Sequence, residues 1–190
     1  NPDIIMAAAG DYPTKETMAA IDIIKTEWPD IKIRCVNVSS LTSMGFGTLN
    51  NTADQKFFDH IFTEDKPVIF NFHGYPQTVK SVLFNYAVDS TRFDVRGYKE
   101  IGSTTTPFDM HVRNETSRYD LVIAAFKQLG HDGVLPFEEA EHLAAKYRQK
   151  IDENTAYIKE NGIDLPELDA WVWPAARGQE RVEEEAWHGQ

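Results

Sequence analysis

Four short apolar runs, each followed by a stretch of helical periodicity, restrict the fold of this chain more than any other feature. The runs are DIIMAAAG (3–10), IKIRCVNV (31–38), KPVIFNFHG (66–74) and FDVRGYKEIG (93–102). Each has the length and apolar content of a strand. Between and after them, apolar residues recur at helical spacing: Met18, Ile21, Ile24 and Trp28; Phe57, Phe58 and Ile61; Val79, Val82, Leu83 and Tyr86; Tyr119, Val122, Phe126 and Leu129. Strand and helix in alternation predict an α/β class fold, a three-layer α/β/α sandwich around a mostly parallel mixed sheet of four to five strands. In the second run Ile31, Ile33 and Cys35 face one way and Val36 and Val38 the other, so it is expected to be covered on both faces, with Cys35 as a small buried hydrophobe. The fourth run is the least apolar and is expected nearer an edge. Gly130 is read as the C-terminal cap of the helix that precedes it.

From Leu135 the pattern changes. Ala140, Ala144, Tyr147, Ile151 and Ile158 lie on one long helix that stops at Asn161-Gly162, and no strand follows. The expected division is an α/β domain over 1–134, a C-terminal helix with an aromatic extension over 135–174, and a charged tail over 175–190. Trp171 and Trp173 are expected to dock back onto the body or a neighbouring subunit, because burying each ring is worth about 2–3 kcal/mol.

Charge narrows the function. Thirty acidic residues against 19 basic ones leave a net charge of -11, which argues against nucleic acid as a partner. No apolar run reaches the roughly 18 residues of a membrane span, and the single cysteine excludes an internal disulfide. The expectation is a soluble, cytoplasmic protein with no membrane partner. The chain opens Asn1-Pro2-Asp3 and reaches its first strand at once, which is read as a piece of a longer polypeptide.

No HExxH, CxxC pair or GxSxG occurs, and none of the six histidines pairs with another at ligand spacing on a helix, so no metal site is expected. Gly45 and Gly47 in MGFGTLN lack the lysine of a phosphate loop and read as a turn. Two places collect polar residues where strands end. His73-Gly74-Tyr75-Pro76 leaves the third run with Pro76 suited to a first helical position. Free N–H groups at that helix start could hold an anion, or Gly74 could simply make the turn. Thr104, Thr105 and Thr106 precede Pro107, with Arg96, Lys99, His111 and Arg113 nearby and Asn114 or Ser117 able to cap the next helix. No nucleophile beside a base, and no pair of opposed carboxylates, is visible there. Capping and a polar interface are the favoured reading.

The stretches NPDIIMAAAGDYPTKETMAAIDIIK, DKPVIFNFHGYPQTVKSV, VRGYKEIGSTTTPFDMHVRNETSRYDL and YIKENGIDLPELDAWVWP together resemble the C-terminal domain of phosphoketolases. The likeness extends to Pro174 and leaves out the tail. It implies a large enzyme using thiamine diphosphate and magnesium, which cleaves xylulose 5-phosphate, and often fructose 6-phosphate, with phosphate to acetyl phosphate and an aldose phosphate. It implies a domain similar to the transketolase C-terminal domain, with a five-stranded mixed sheet. The partners implied are the upstream domains of the same enzyme and a second subunit. No catalytic, cofactor-binding or metal residue carries over to this segment. Two roles follow: a structural and dimerisation domain, or a regulatory module that holds an anion near His73 and Thr104.

Overall fold

The computed structural model describes residues 1–45, 53–101 and 104–174. The second glycine of MGFGTLN, the start of the threonine loop (102–103) and the charged tail lie outside the described residues.

Among the described residues the sheet has four strands, all parallel, in the order β2-β1-β3-β4. They are β1 (Ile4–Ala9), β2 (Ile33–Asn37), β3 (Val68–Phe72) and β4 (Phe93–Arg96). Helix α1 (Asp11–Glu27) follows β1, α2 (Gln55–Phe62) lies between β2 and β3, and α3 (Pro76–Leu83) follows β3. Beyond β4 come α4 (Pro107–Arg113), α5 (Arg118–His131), α6 (Phe137–Asn161) and the single turn α7 (Pro166–Asp169). This is the α/β class expected from the alternation, without an antiparallel strand among the described residues.

Alternation along β1 shows the three layers directly. Ile4 and Met6 join one apolar cluster with Ile24 of α1, Phe126 of α5 and Leu143 of α6. Ile5, Ala7 and Ala9 join the other, with Phe58 of α2 and Val79 of α3. All six β1 residues are buried, because parallel strands carry helices on both faces.

The strand order corrects one expectation. β2 is an edge strand, and its burial is partial. Ile33 and Val36 still pack against opposite clusters, but Cys35 is exposed. Its apolar neighbours predict cover on both faces; with β1 on one side only among the described residues, the helix layers cover less of β2.

A second correction concerns Gly130. It sits inside α5, and Asp132 takes the cap position. A Cβ at Gly130 would lie 2.5 Å from the Cβ of Ala140, so glycine is there to let α5 and α6 approach closely. The stop after Asn161 is as expected: Gly162 takes the left-handed conformation at φ 72° and donates its N–H to the carbonyl of Ile158 at 2.8 Å. α6 belongs to the same apolar cluster as α1 and α5 through Leu143, Ala144, Tyr147 and Ile151.

Candidate functional site at the C-terminal edge of the sheet

The segments after β1, β3 and β4 meet at one edge. His73 leaves β3, its N–H bonded to the carbonyl of Ala9 at 3.0 Å. The carbonyl of Gly74 accepts the N–H of Tyr98 at 2.9 Å. A Cβ at Gly97 would run into that same carbonyl, so the two segments touch backbone to backbone. Tyr98 then lies edge-on to the His73 ring at 5.7 Å and to the Tyr75 ring at 6.1 Å. The Tyr75 hydroxyl donates to the Glu100 carboxylate, and this bond raises its pKa. Pro76 opens α3 as the sequence suggests.

The cations of this edge are paired within the domain. Arg96 holds Asp94 at 2.8 Å and also donates to the carbonyl of Glu115 at 3.0 Å. The Lys99 ammonium meets the Glu115 carboxylate at 2.6 Å, and its hydrogen bond is the largest cause of a lowered Glu115 pKa. Arg113 pairs with Asp109, one turn back on α4, at 2.7 Å. His111 stacks flat on Tyr12 at 4.1 Å, with Nδ1 sharing a 3.0 Å hydrogen bond with the Thr116 hydroxyl. Burial, above all, lowers its pKa; Glu16 opposes this, while His73 and Arg118 add to it.

The threonines have acceptors from elsewhere in the fold. Thr105 donates to Asp109 at 2.5 Å. Thr106 donates to Asp164 at 2.7 Å, and the other oxygen of Asp164 accepts the Phe108 N–H at 3.0 Å. Asn154 of α6 holds Asp164 in place at 3.0 Å. Asp164 thus supplies, at the start of α4, the negative charge that a bound anion would supply. Thr104 is exposed beside a cleft of about 750 Å³ between the threonine loop and the 162–169 segment.

Several of these groups escaped sequence reasoning. The sequence pattern places 107–113 in the loop, although Pro107 at the first position of α4 and Asp109 in its first turn are local helix signals. Asp164 is 58 positions from Thr106, and nothing local marks it. Nor does local sequence mark the buried pair Glu16–Arg118: Arg118 Nη2 and Nε donate to the two Glu16 oxygens at 2.6 and 2.9 Å, and the Arg118 backbone N–H adds a third bond at 2.8 Å. Ser117 does cap α5, as expected. Asn114 instead links the two segments, accepting the Lys99 N–H at 2.8 Å and donating to the carbonyl of Met110.

The model of the XFP C-terminal domain matches residues 1–173. The chain belongs to the phosphoketolase C-terminal domain family. It is 41% identical over 178 residues to a "Probable phosphoketolase" of Bradyrhizobium diazoefficiens, covering 93% of this chain and 22% of that protein. It is 40% identical to "Probable phosphoketolase 2" of a Nostoc species over 91% of this chain and 21% of that protein. A "Probable phosphoketolase" of Gloeobacter violaceus is 41% identical over the same shares. The chain therefore spans about a fifth of the length of the curated relatives it matches.

In this phosphoketolase C-terminal domain no group of three or more His, Cys, Asp or Glu side chains among the described residues is arranged to hold a metal ion. The acidic groups at the sheet edge bind Arg96, Lys99, Arg113 and the threonine hydroxyls instead. These residues do not fit a magnesium–diphosphate site. No helix among the described residues is long and apolar enough to cross a membrane.

Proposed function

We propose that this chain is the assembly domain of a cytoplasmic phosphoketolase, a thiamine-diphosphate- and magnesium-dependent lyase. The reaction is cleavage of xylulose 5-phosphate, or fructose 6-phosphate, with phosphate to acetyl phosphate and an aldose phosphate. In this reading the bond-breaking groups and the cofactor belong to upstream domains. The present residues join those domains, and a second subunit, through the C-terminal edge of the sheet. The observation that carries it is the pairing of that edge: Arg96, Lys99, Arg113, Thr105 and Thr106 each hold a carboxylate of this same domain. Groups so engaged are suited to holding a surface in shape. A general base or a nucleophile needs a reacting atom within hydrogen-bond reach.

The test is an acetyl phosphate assay with both sugar phosphates, phosphate, thiamine diphosphate and magnesium. The full-length enzyme is expected to form acetyl phosphate, and residues 1–190 alone to form none. Turnover by the isolated chain would place catalytic groups here and refute the assembly reading. Within the full-length enzyme, alanine at Thr104, Thr105 and Thr106 is expected to weaken assembly or substrate affinity while leaving residual turnover.

A further inference from the structure

We propose that Tyr75 and Tyr98 form a preorganised docking face for the rest of the phosphoketolase polypeptide. This inference rests on the domain reading above and assigns the surface through which the domain is held.

The two rings are exposed, Tyr75 by 48% and Tyr98 by 41%, and Ile101, next to Glu100 in the sequence, by 49%. They stand at right angles, 6.1 Å apart, with the His73 ring against Tyr98. Their positions are fixed before any partner arrives. The Tyr98 N–H is bonded to Gly74, Gly97 packs against the same carbonyl, and the Tyr75 hydroxyl is held by Glu100. A rigid aromatic pair loses little side-chain entropy on docking, and tyrosine is among the residues that carry binding energy at interfaces.

The surroundings indicate which partner fits. Beside the rings Arg96 pairs with Asp94 and Lys99 with Glu115, while Glu100 accepts the Tyr75 hydroxyl, so the face presents aromatic surface whose neighbouring charges largely cancel on a domain that is otherwise strongly acidic. Such a face offers little electrostatic steering for a passing partner and resembles the charge-depleted centre of a lasting interface. The relatives are roughly four to five times the length of this chain, so about four-fifths of such an enzyme lies outside it and is available as the occupant.

Phe84 provides the internal control. It is 92% exposed, at the opposite end of the eight-residue helix α3 from Tyr75, about 13.5 Å away along the helix axis. The experiment places a photo-cross-linking benzoylphenylalanine at position 98, and separately at position 84, in the full-length enzyme, and maps the products after illumination. Position 98 is expected to cross-link to residues outside this domain. Cross-links from position 98 only within the domain, or none, would overturn the proposal. Cross-links to the rest of the enzyme from position 84 alone would leave the domain reading intact and move the docking face elsewhere.

Nitration of the unsubstituted full-length enzyme by tetranitromethane gives a second readout that requires no variant. Tyr98 is the probe, since the Tyr75 phenol is already bonded to Glu100. Tyr98 is expected to react about tenfold or more slowly in the folded enzyme than in urea, which is the factor corresponding to about 1.4 kcal/mol of protection. Equal rates would overturn the docking face, while an enzyme inactive in the acetyl phosphate assay would fail the domain reading instead.

Discussion

Glu16 and Arg118 show how much a single pair of side chains can decide. Both are almost wholly buried, on α1 and α5, and three hydrogen bonds join them. The Arg118 guanidinium also lies over the rings of Phe108 and Trp171, at 5.6 and 5.7 Å. Removing one partner leaves a buried charge without compensation. Glu16→Ala is therefore expected to cost about 3–5 kcal/mol in urea denaturation. The double change Glu16→Leu with Arg118→Met should recover most of that loss, and if it does not, the pair is needed for more than its charge. His111 gives a pH dependence of definite sign. Burial lowers its folded-state pKa from the ordinary value of 6.5, so below that value the unfolded chain binds the proton more readily. Stability should fall as pH drops from about 6.5 toward the lowered folded value. Urea midpoints across that window should show the slope, and His111→Gln should flatten it.

The helices at the sheet edge depend on the segment that follows α6. α4 has seven residues and receives no cap from its own Thr106 side chain, whose hydroxyl is donated to Asp164. Asp164 takes over the capping by accepting the Phe108 N–H, and Asn154 fixes both Asp164 and the Leu165 N–H. Farther on, Trp171 is half-buried and donates its indole N–H to Asp22 of α1 at 2.9 Å, while Trp173 packs edge-on against it. The segment is thus a strap tied to the threonine loop at one end and to α1 at the other. Asp164→Ala should cost about 1–3 kcal/mol, for the lost cap and the bonds to a charged acceptor. Asp164→Asn, with one acceptor oxygen left, should cost less. Thermal melts of the three proteins would rank them, and an Asp164→Ala protein as stable as the parent would mean that water satisfies these groups equally well.

Two apolar clusters on opposite faces of one sheet give the molecule a stability gradient. β1 and β3 are central and buried between the helix layers, while among the described residues β2 and β4 each have a partner strand on one side only. Native-state hydrogen exchange should therefore be slowest in β1 and β3, and faster at those amides of β2 and β4 that point away from the ladder. Protection spread evenly over all four strands would show that another surface covers the edges. α6 should exchange with α5 rather than independently, since Leu143, Ala144 and Tyr147 share a cluster with Leu121, Phe126 and Leu129.

Local spacing along the chain was enough for β1 as a strand, the apolar face of α1, Pro76 at the start of α3 and Gly162 as the stop of α6, and it narrowed the cap of α5 to Asn114 or Ser117. Each of these depends on residues within about one or two turns of each other, where backbone geometry and side-chain pattern are coupled directly. The long motifs, RGYKEIGSTTTPFDM above all, carried the family for the same reason: they are contiguous. The exposure of Cys35 was decided by strand order, which places β2 outside β1. The place of Gly130 was decided by Ala140 on the next helix. The capping of α4 by Asp164 and the Glu16–Arg118 pair join residues 56 and 102 positions apart. Such contacts exist only once the sheet and helix layers have brought distant segments together, because a hydrogen bond or ion pair acts over a few ångströms of space whatever the separation along the chain.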